Sequence, residues 1–248
     1  MAKTRLDQLV VDLGLAPSRA RAQALILAGE VCVNGVRVDK AGTLVAPGAE
    51  VTRRGEPMPF VSRGGVKLAG ALDAFAVDPA GRRCLDVGAS TGGFTDCLLQ
   101  RGAASVVAVD VGYGQLAHKL RIDPRVVVLE RTNARSLTPA VIGGAVDLTV
   151  VDASFIGIGK LLGAIRACTR PGGELVALIK PQFEVGRTEA SRARGVIRDE
   201  EVRTGAVRAV LDGVREGGFT VIAHADCVIA GPKGNREAFV HARREPDG

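Results

Sequence analysis

The chain has 248 residues, 46% hydrophobic and 24% charged, a globular composition with room for one large domain or two smaller ones. Its net charge of +6 suits a polyanionic partner, while 3% aromatic residues, with no Trp and one Tyr, exclude RNA recognition by broad aromatic stacking. Cys32, Cys84, Cys97, Cys168 and Cys227 are scattered without a CxxC or Cys/His cluster, which excludes a zinc module or disulfide framework and predicts no metal.

The N-terminal MAKTRLDQ has no apolar h-region behind it, and no apolar run approaches the ~18 residues of a membrane span. A cytoplasmic location is therefore expected. RLDQLVVDLG has helical spacing, with Leu6, Leu9, Val10 and Leu13 on one face and Gly14 as the stop. A second helix follows in APSRARAQALILAGE, with Ser18 as N-cap and Ala22, Leu25 and Ile26 facing inward. VCVNGVRV then alternates around Asn34-Gly35, a hairpin signal, and a further strand is expected near 44–52.

The stretch RLDQLVVDLGLAPSRARAQALILAGEVCVNGVRV resembles the S4 RNA-binding domain. That resemblance implies a small α+β domain over 1–55 whose Ser18–Arg21 helix docks on RNA, with contacts at Arg5, Ser18, Arg19 and Arg21. Charge alone would not say so, because residues 1–60 carry only eight Lys/Arg against six Asp/Glu.

Residues 56–65, within TRRGEPMPFVSRGG, read as a linker. From 66 to 248 strands and helices alternate, and the strands are near-continuous apolar runs. This pattern predicts an α/β, doubly wound parallel sheet. Its first strand ends in CLDVGASTGGFTD, where Gly88, Gly92 and Gly93 let backbone approach a ligand. A dinucleotide fingerprint would carry glycine where Ser90 stands. The Asp86-x-Gly88 form resembles the S-adenosylmethionine loop of Rossmann-like methyltransferases, which implies that the acid faces the cofactor's amino group. Asp110, 22 residues beyond Gly88, stands where an acid accepts from ribose hydroxyls of either NAD or S-adenosylmethionine. Candidate cofactor contacts are Asp86, Gly88, Ser90, Thr91, Gly92, Gly93, Asp110, Asn133 (to adenine) and Asp152.

The fourth strand ends VVDASF, without the double proline of exocyclic-amine methylation, and no Pro-Cys pair marks base-carbon methylation. Asp152 and Lys180 remain at consecutive strand tips. A ribose 2′-hydroxyl must lose its proton as it attacks a methyl group, and an amine can serve as the base. A second ammonium would lower such an amine's proton affinity and stabilise the alkoxide, whereas carboxylates that hold it act in the opposite direction.

SRGGVKL, CLDVGASTGGFTD, DVGYGQLAHKLR, ERTNAR, VDASFI, LIKPQFEVG and GNREAF together resemble the TlyA family of ribosomal RNA ribose 2′-O-methyltransferases, whose catalytic domain is related to FtsJ-type enzymes. The resemblance covers nearly the whole chain. It implies a catalytic tetrad of Lys67, Asp152, Lys180 and Glu237, with Lys180 the base, Lys67 orienting the hydroxyl, and the two carboxylates holding lysines and substrate. It also implies S-adenosylmethionine as cofactor and ribosomal RNA within subunits as partner, met by a monomer. Arg63 and Arg187, the latter in a long Arg-rich segment at 181–200, are further candidates for RNA phosphates.

Two departures bear on substrate. Phe60 stands where members acting on both subunits have Trp, and the sequence runs only to HARREPDG after Glu237. Cytidine in 23S RNA is therefore expected ahead of 16S. Two alternatives stay open: a non-catalytic RNA-binding or ribosome-assembly factor, and a membrane-active haemolysin, a label this family often carries.

Overall fold

The computed structural model describes residues 3–54, 58–154, 156–185, 196–231 and 234–246. Contacts divide the chain into two compact units, Met1–Pro57 and Met58–Gly248.

The first unit contains β1 (Thr4–Arg5), α1 (Leu6–Asp12), α2 (Arg19–Leu27), β2 (Val31–Val33), β3 (Val36–Arg37), β4 (Leu44–Val45) and β5 (Val51–Arg53). Leu6 and Val10, one turn apart on α1, meet Ala22, Leu25 and Ile26 of α2 in a core closed by Val31 and Val45. Ser18 caps α2 as expected, its Oγ accepting from Arg21 N at 3.3 Å. Asn34 and Gly35, at φ 51° and 76°, form the two-residue turn that brings Val33 opposite Val36. Two expectations need correction. Leu13 is 52% exposed because α1 ends at Asp12, before the apolar stripe comes round again. The strand expected over 44–52 is two strands: β4 pairs with β1, while β5, beyond the Pro47-Gly48 turn, joins β2 and β3.

The second unit opens with α3 (Arg63–Phe75), so the last three residues of the expected linker are helical. There follow β6 (Arg83–Val87), α4 (Gly93–Gln100), β7 (Ser105–Val109), α5 (His118–Arg121), β8 (Val126–Leu129), α6 (Pro139–Ile142) and β9 (Val146–Val151). The chain continues through α7 (Leu162–Cys168), β10 (Thr169–Ile179), α8 (Pro181–Glu184), α9 (Glu200–Glu216), β11 (Phe219–Asp226) and β12 (Ala238–Arg244). The seven-stranded sheet has the order β11-β12-β10-β9-β6-β7-β8. Five strands are parallel, as the doubly wound sheet requires, and β12 adds a strand antiparallel to both β10 and β11. Each parallel step contains a crossover, whereas β11 returns to β12 through a loop, which suits antiparallel neighbours.

Side chains alternate across this sheet with period two. Leu85, Val107, Leu175 and Val240 face α7 and α9, and Cys84, Val106, Val176 and Phe239 face α3 and α4. Both faces are thus buried, which is why the strands read as continuous apolar runs. Strand order reverses at β6, with β7 on one side and β9 on the other, and a ligand crevice is expected at their carboxyl ends.

Candidate active site

Three strand ends build the floor of the site. Gly88, just beyond β6, has φ 88°, and a Cβ there would stand 2.7 Å from the carbonyl oxygen of Asp152. Only glycine lets this loop lie against the end of β9. At Gly93, the first residue of α4, a Cβ would meet Ser62 Oγ at 2.2 Å and Gly65 N at 2.8 Å. Asp152 follows β9, its N–H donating to Val87 O at 2.9 Å. Lys180 follows β10, and Pro181 occupies the first position of α8. Proline has no N–H to extend the ladder but suits a helix start, so the strand stops with the lysine at its tip.

A cleft of about 1070 Å³ opens above these ends, and all four residues of the expected tetrad line it. Lys180 Nζ is 2.5 Å from Asp152 Oδ1 and donates to Ser154 Oγ at 2.7 Å. Lys67 projects from the buried face of α3 and donates to Glu237 Oε2 at 2.5 Å. Glu237 precedes β12 and is 2% exposed. At Gly231 a Cβ would stand 2.6 Å from Glu237 Oε1, so the turn approaches the carboxylate only as glycine. The cleft therefore holds two lysine–carboxylate pairs from four separate segments. Such an arrangement fixes two ammonium or amine groups at one place, which suits deprotonation and charge stabilisation at a hydroxyl.

Of the expected cofactor contacts, Gly88, Ser90, Thr91, Gly93 and Asp152 line the cleft. Ser90, in the left-handed region at φ 49°, donates its N–H to Asp110 Oδ2 at 2.7 Å, and Gly112 N donates to Asp110 Oδ1 at 2.7 Å. Asp110 and Ser90 share a small neighbouring hollow, so this carboxylate is held at the rim with lone pairs to spare. Gly92 instead turns the chain at φ 96° against Leu116 and Leu120. Asn133 is exposed and accepts from Arg135 N at 3.1 Å, capping the 3-10 turn Ala134–Ser136; the structure does not bring it to the cleft.

Asp86 does not line the cleft either. It is fully buried beneath the loop, where Thr95 Oγ1 donates to its Oδ2 at 2.6 Å while Oδ1 has no partner among the described residues. Desolvation by burial pushes its carboxyl up to about 7, and the nearby Asp152 charge adds to the rise. A buried acceptor left unpaired next to a glycine cradle fits a site for a ligand's ammonium group. Burial likewise pushes the Cys84, Cys97 and Cys227 thiols up to about 12, far from the range of a nucleophilic thiolate.

Among the RNA candidates, Arg63 lines the cleft and its guanidinium donates to Ala230 O at 3.4 Å. In the first unit, Arg5 and Arg19 both donate to the buried carboxylate of Asp7 at 3.0 Å, and Gln23 Nε2 donates to it at 2.9 Å. Arg5 above all, then Gln23, holds this carboxyl far below the usual range. Arg21 is exposed, Ser18 is occupied as a cap, and Arg187 lies outside the described residues.

Sequence reasoning missed several participants. Ser154 and Gln182 line the cleft from within VDASFI and LIKPQFEVG, and Asp7 and Thr95 support expected residues from beneath. Proximity to the strand-tip residues was the available signal for the first two. Asp7 offered none, since a helix-start acid reads as solvated.

Comparison with known proteins gives two family matches: FtsJ-like methyltransferase over residues 60–244 and S4 domain over residues 4–51. A Mycobacterium tuberculosis protein named 16S/23S rRNA (cytidine-2'-O)-methyltransferase TlyA is 49% identical over 246 residues, 99% of this chain and 91% of that protein. A solved structure described as a putative hemolysin from Streptococcus thermophilus superposes with TM-score 0.78 at 38% identity, covering 100% of this chain and 90% of that one. A putative S-adenosylmethionine dependent methyltransferase from Listeria monocytogenes, at 12% identity and TM-score 0.55, covers 74% of this chain and 99% of its own, and shares the fold.

Proposed function

The chain belongs to the TlyA family of FtsJ-like methyltransferases and carries an S4 domain, and from that premise we propose that it methylates the ribose 2′-hydroxyl of a cytidine in ribosomal RNA. The observation that carries this reading is the convergence of Lys67, Asp152, Lys180 and Glu237 on one cleft beside the glycine loop. The proposed cofactor is S-adenosylmethionine, which when bound supplies an electrophilic methyl group on a sulfonium sulfur. Gly88, Ser90, Thr91 and Gly93 would cradle it, Asp110 would receive its ribose hydroxyls, and the unpaired Oδ1 of Asp86 would take its ammonium after a small local opening.

In this reading Lys180 acts in its amine form and accepts the proton of the 2′-hydroxyl as that oxygen takes the methyl group, while Asp152 and Ser154 fix its Nζ at the tip of β10. Lys67, held by Glu237, orients the hydroxyl and stabilises the oxygen as charge develops. Arg5, Arg19 and Arg21 of the first unit, with Arg63 at the cleft, bind phosphates of the ribosomal subunit and set register. Phe60, where the dual-subunit members have Trp, favours 23S RNA as the substrate. The protein is proposed to act as a monomer in the cytoplasm. Among the described residues, no helix is long and apolar enough to cross a membrane.

The test is tritiated methyl transfer from S-adenosylmethionine to unmodified ribosomal subunits, comparing wild type with Lys180→Ala and digesting the RNA to nucleosides. Label in 2′-O-methylcytidine with wild type, and loss of it in the variant, is expected. Cofactor binding without transfer to either subunit would instead favour a non-catalytic RNA-binding role.

A further inference from the structure

Beyond the paired lysines of the tetrad, two more cations among the described residues line the cleft, Arg63 and Lys160. Lys160 ends the 3-10 turn Ile158–Lys160 that follows β9. Its side chain is exposed, and its ammonium has no partner among the described residues.

The turn that presents this lysine is held in place from beneath. Ile158 is 2% exposed in the core, and its N–H donates to Glu184 Oε1 at 3.1 Å. At Gly157 a Cβ would stand 2.9 Å from Glu184 Oε2, so the carboxylate lies directly under the turn. Among the described residues no cation pairs with Glu184, and burial pushes its carboxyl up. A carboxylate withdrawn from water onto a neutral amide is costly. The structure gains from it a rigid link between the end of α8, four residues past Lys180, and the turn carrying Lys160.

A nucleotide within an RNA strand has a phosphate on each side of its ribose. Arg63 comes from the first turn of α3, near Lys67, and Lys160 from the segment after β9, near Asp152. We propose that Lys160 binds an RNA backbone phosphate next to the target nucleotide, and that Glu184 is the positioning residue that holds its turn at the cleft. This inference rests on the ribosomal RNA reading above.

The experiment measures kcat and KM for unmodified ribosomal subunits, and the Kd for S-adenosylmethionine, across a salt series. Lys160→Ala is expected to raise the KM for RNA about tenfold and to reduce the slope of log KM against log salt by about one, as for one lost phosphate contact. The kcat and the cofactor Kd should stay at wild-type values, and Lys160→Arg should restore the KM. Glu184→Ala should raise the KM for RNA to the same extent, and the double variant should be no worse than either single one. Glu184→Gln, which keeps the acceptor, should rescue it. An unchanged KM and salt slope in Lys160→Ala would overturn the phosphate assignment. Additive effects in the double variant would overturn the role of Glu184. A wild type that binds cofactor yet labels neither subunit would overturn the ribosomal reading itself, before any variant is compared.

Discussion

Lys67 and Glu237 stand 170 residues apart in the chain, yet their side chains meet at 2.5 Å with 8% and 2% exposure. Breaking a buried pair by removing one partner typically costs about 3–5 kcal/mol, whereas replacing both with apolar groups of similar volume is often neutral. Glu237→Ala is therefore expected to lower the melting temperature sharply. Lys67→Met combined with Glu237→Leu should recover most of that stability while methyl transfer stays abolished. Thermal denaturation and label transfer, measured on the same preparations, separate the two roles. A double variant that regained transfer would remove the pair from the chemistry.

Asp86 predicts a pH dependence. Its carboxyl is raised by burial from 3.8 to about 7, so the folded state holds this proton more tightly than the unfolded state does. The resulting stability is fully present below the unfolded value and is lost as pH rises through about 7. Asp86→Asn should flatten that loss and be the more stable protein at pH 8, by a margin of roughly 2–4 kcal/mol at ~1.36 per unit. Cofactor affinity should run the opposite way, tightening in wild type as pH rises through about 7, because an ammonium needs the ionised acid. A flat calorimetric Kd between pH 6 and 8, within roughly twofold, would count against Asp86 as the ammonium partner.

The first unit yields a prediction about RNA affinity. Asp7 anchors the guanidinium groups of Arg5 and Arg19 together, and each is about half exposed beyond it. Asp7→Ala adds net positive charge, which by itself would strengthen RNA binding. Pre-positioning of the arginines works against that, and the expected outcome is a KM for subunits raised about threefold to tenfold with kcat unchanged. A lowered KM would mean that Asp7 acts as a charge screen instead.

Ser154 is the mildest of these tests. Its hydroxyl accepts from Lys180 at 2.7 Å beside the Asp152 pair. Loss of one such hydrogen bond is worth about 1 kcal/mol, so Ser154→Ala should slow methyl transfer by about fivefold at most and lower the melting temperature by about 2–4 °C. Single-turnover rates would check it.

Much of this protein was determined by the sequence alone, because the deciding interactions are local. Near-continuous apolar runs specify strands buried on both faces, and Asn34-Gly35 specifies a two-residue turn through its permitted φ angles. Ser18 specifies a cap through one oxygen and a neighbouring N–H, and Lys180-Pro181 marks a strand tip through the amide that proline lacks.

Tertiary structure alone decided what depends on distant segments meeting. The return of β12 antiparallel beside β10 is what carries Glu237 to Lys67, and no local pattern encodes that pairing. Asp86 sits under its loop rather than in the cleft, with Thr95 of α4 donating to it. Asp7 reads as a solvated helix-start acid until two arginines and a glutamine close over it. Backbone geometry is set by neighbours in sequence, whereas burial and charge pairing are set by neighbours in space, and the site's chemistry rests on the second.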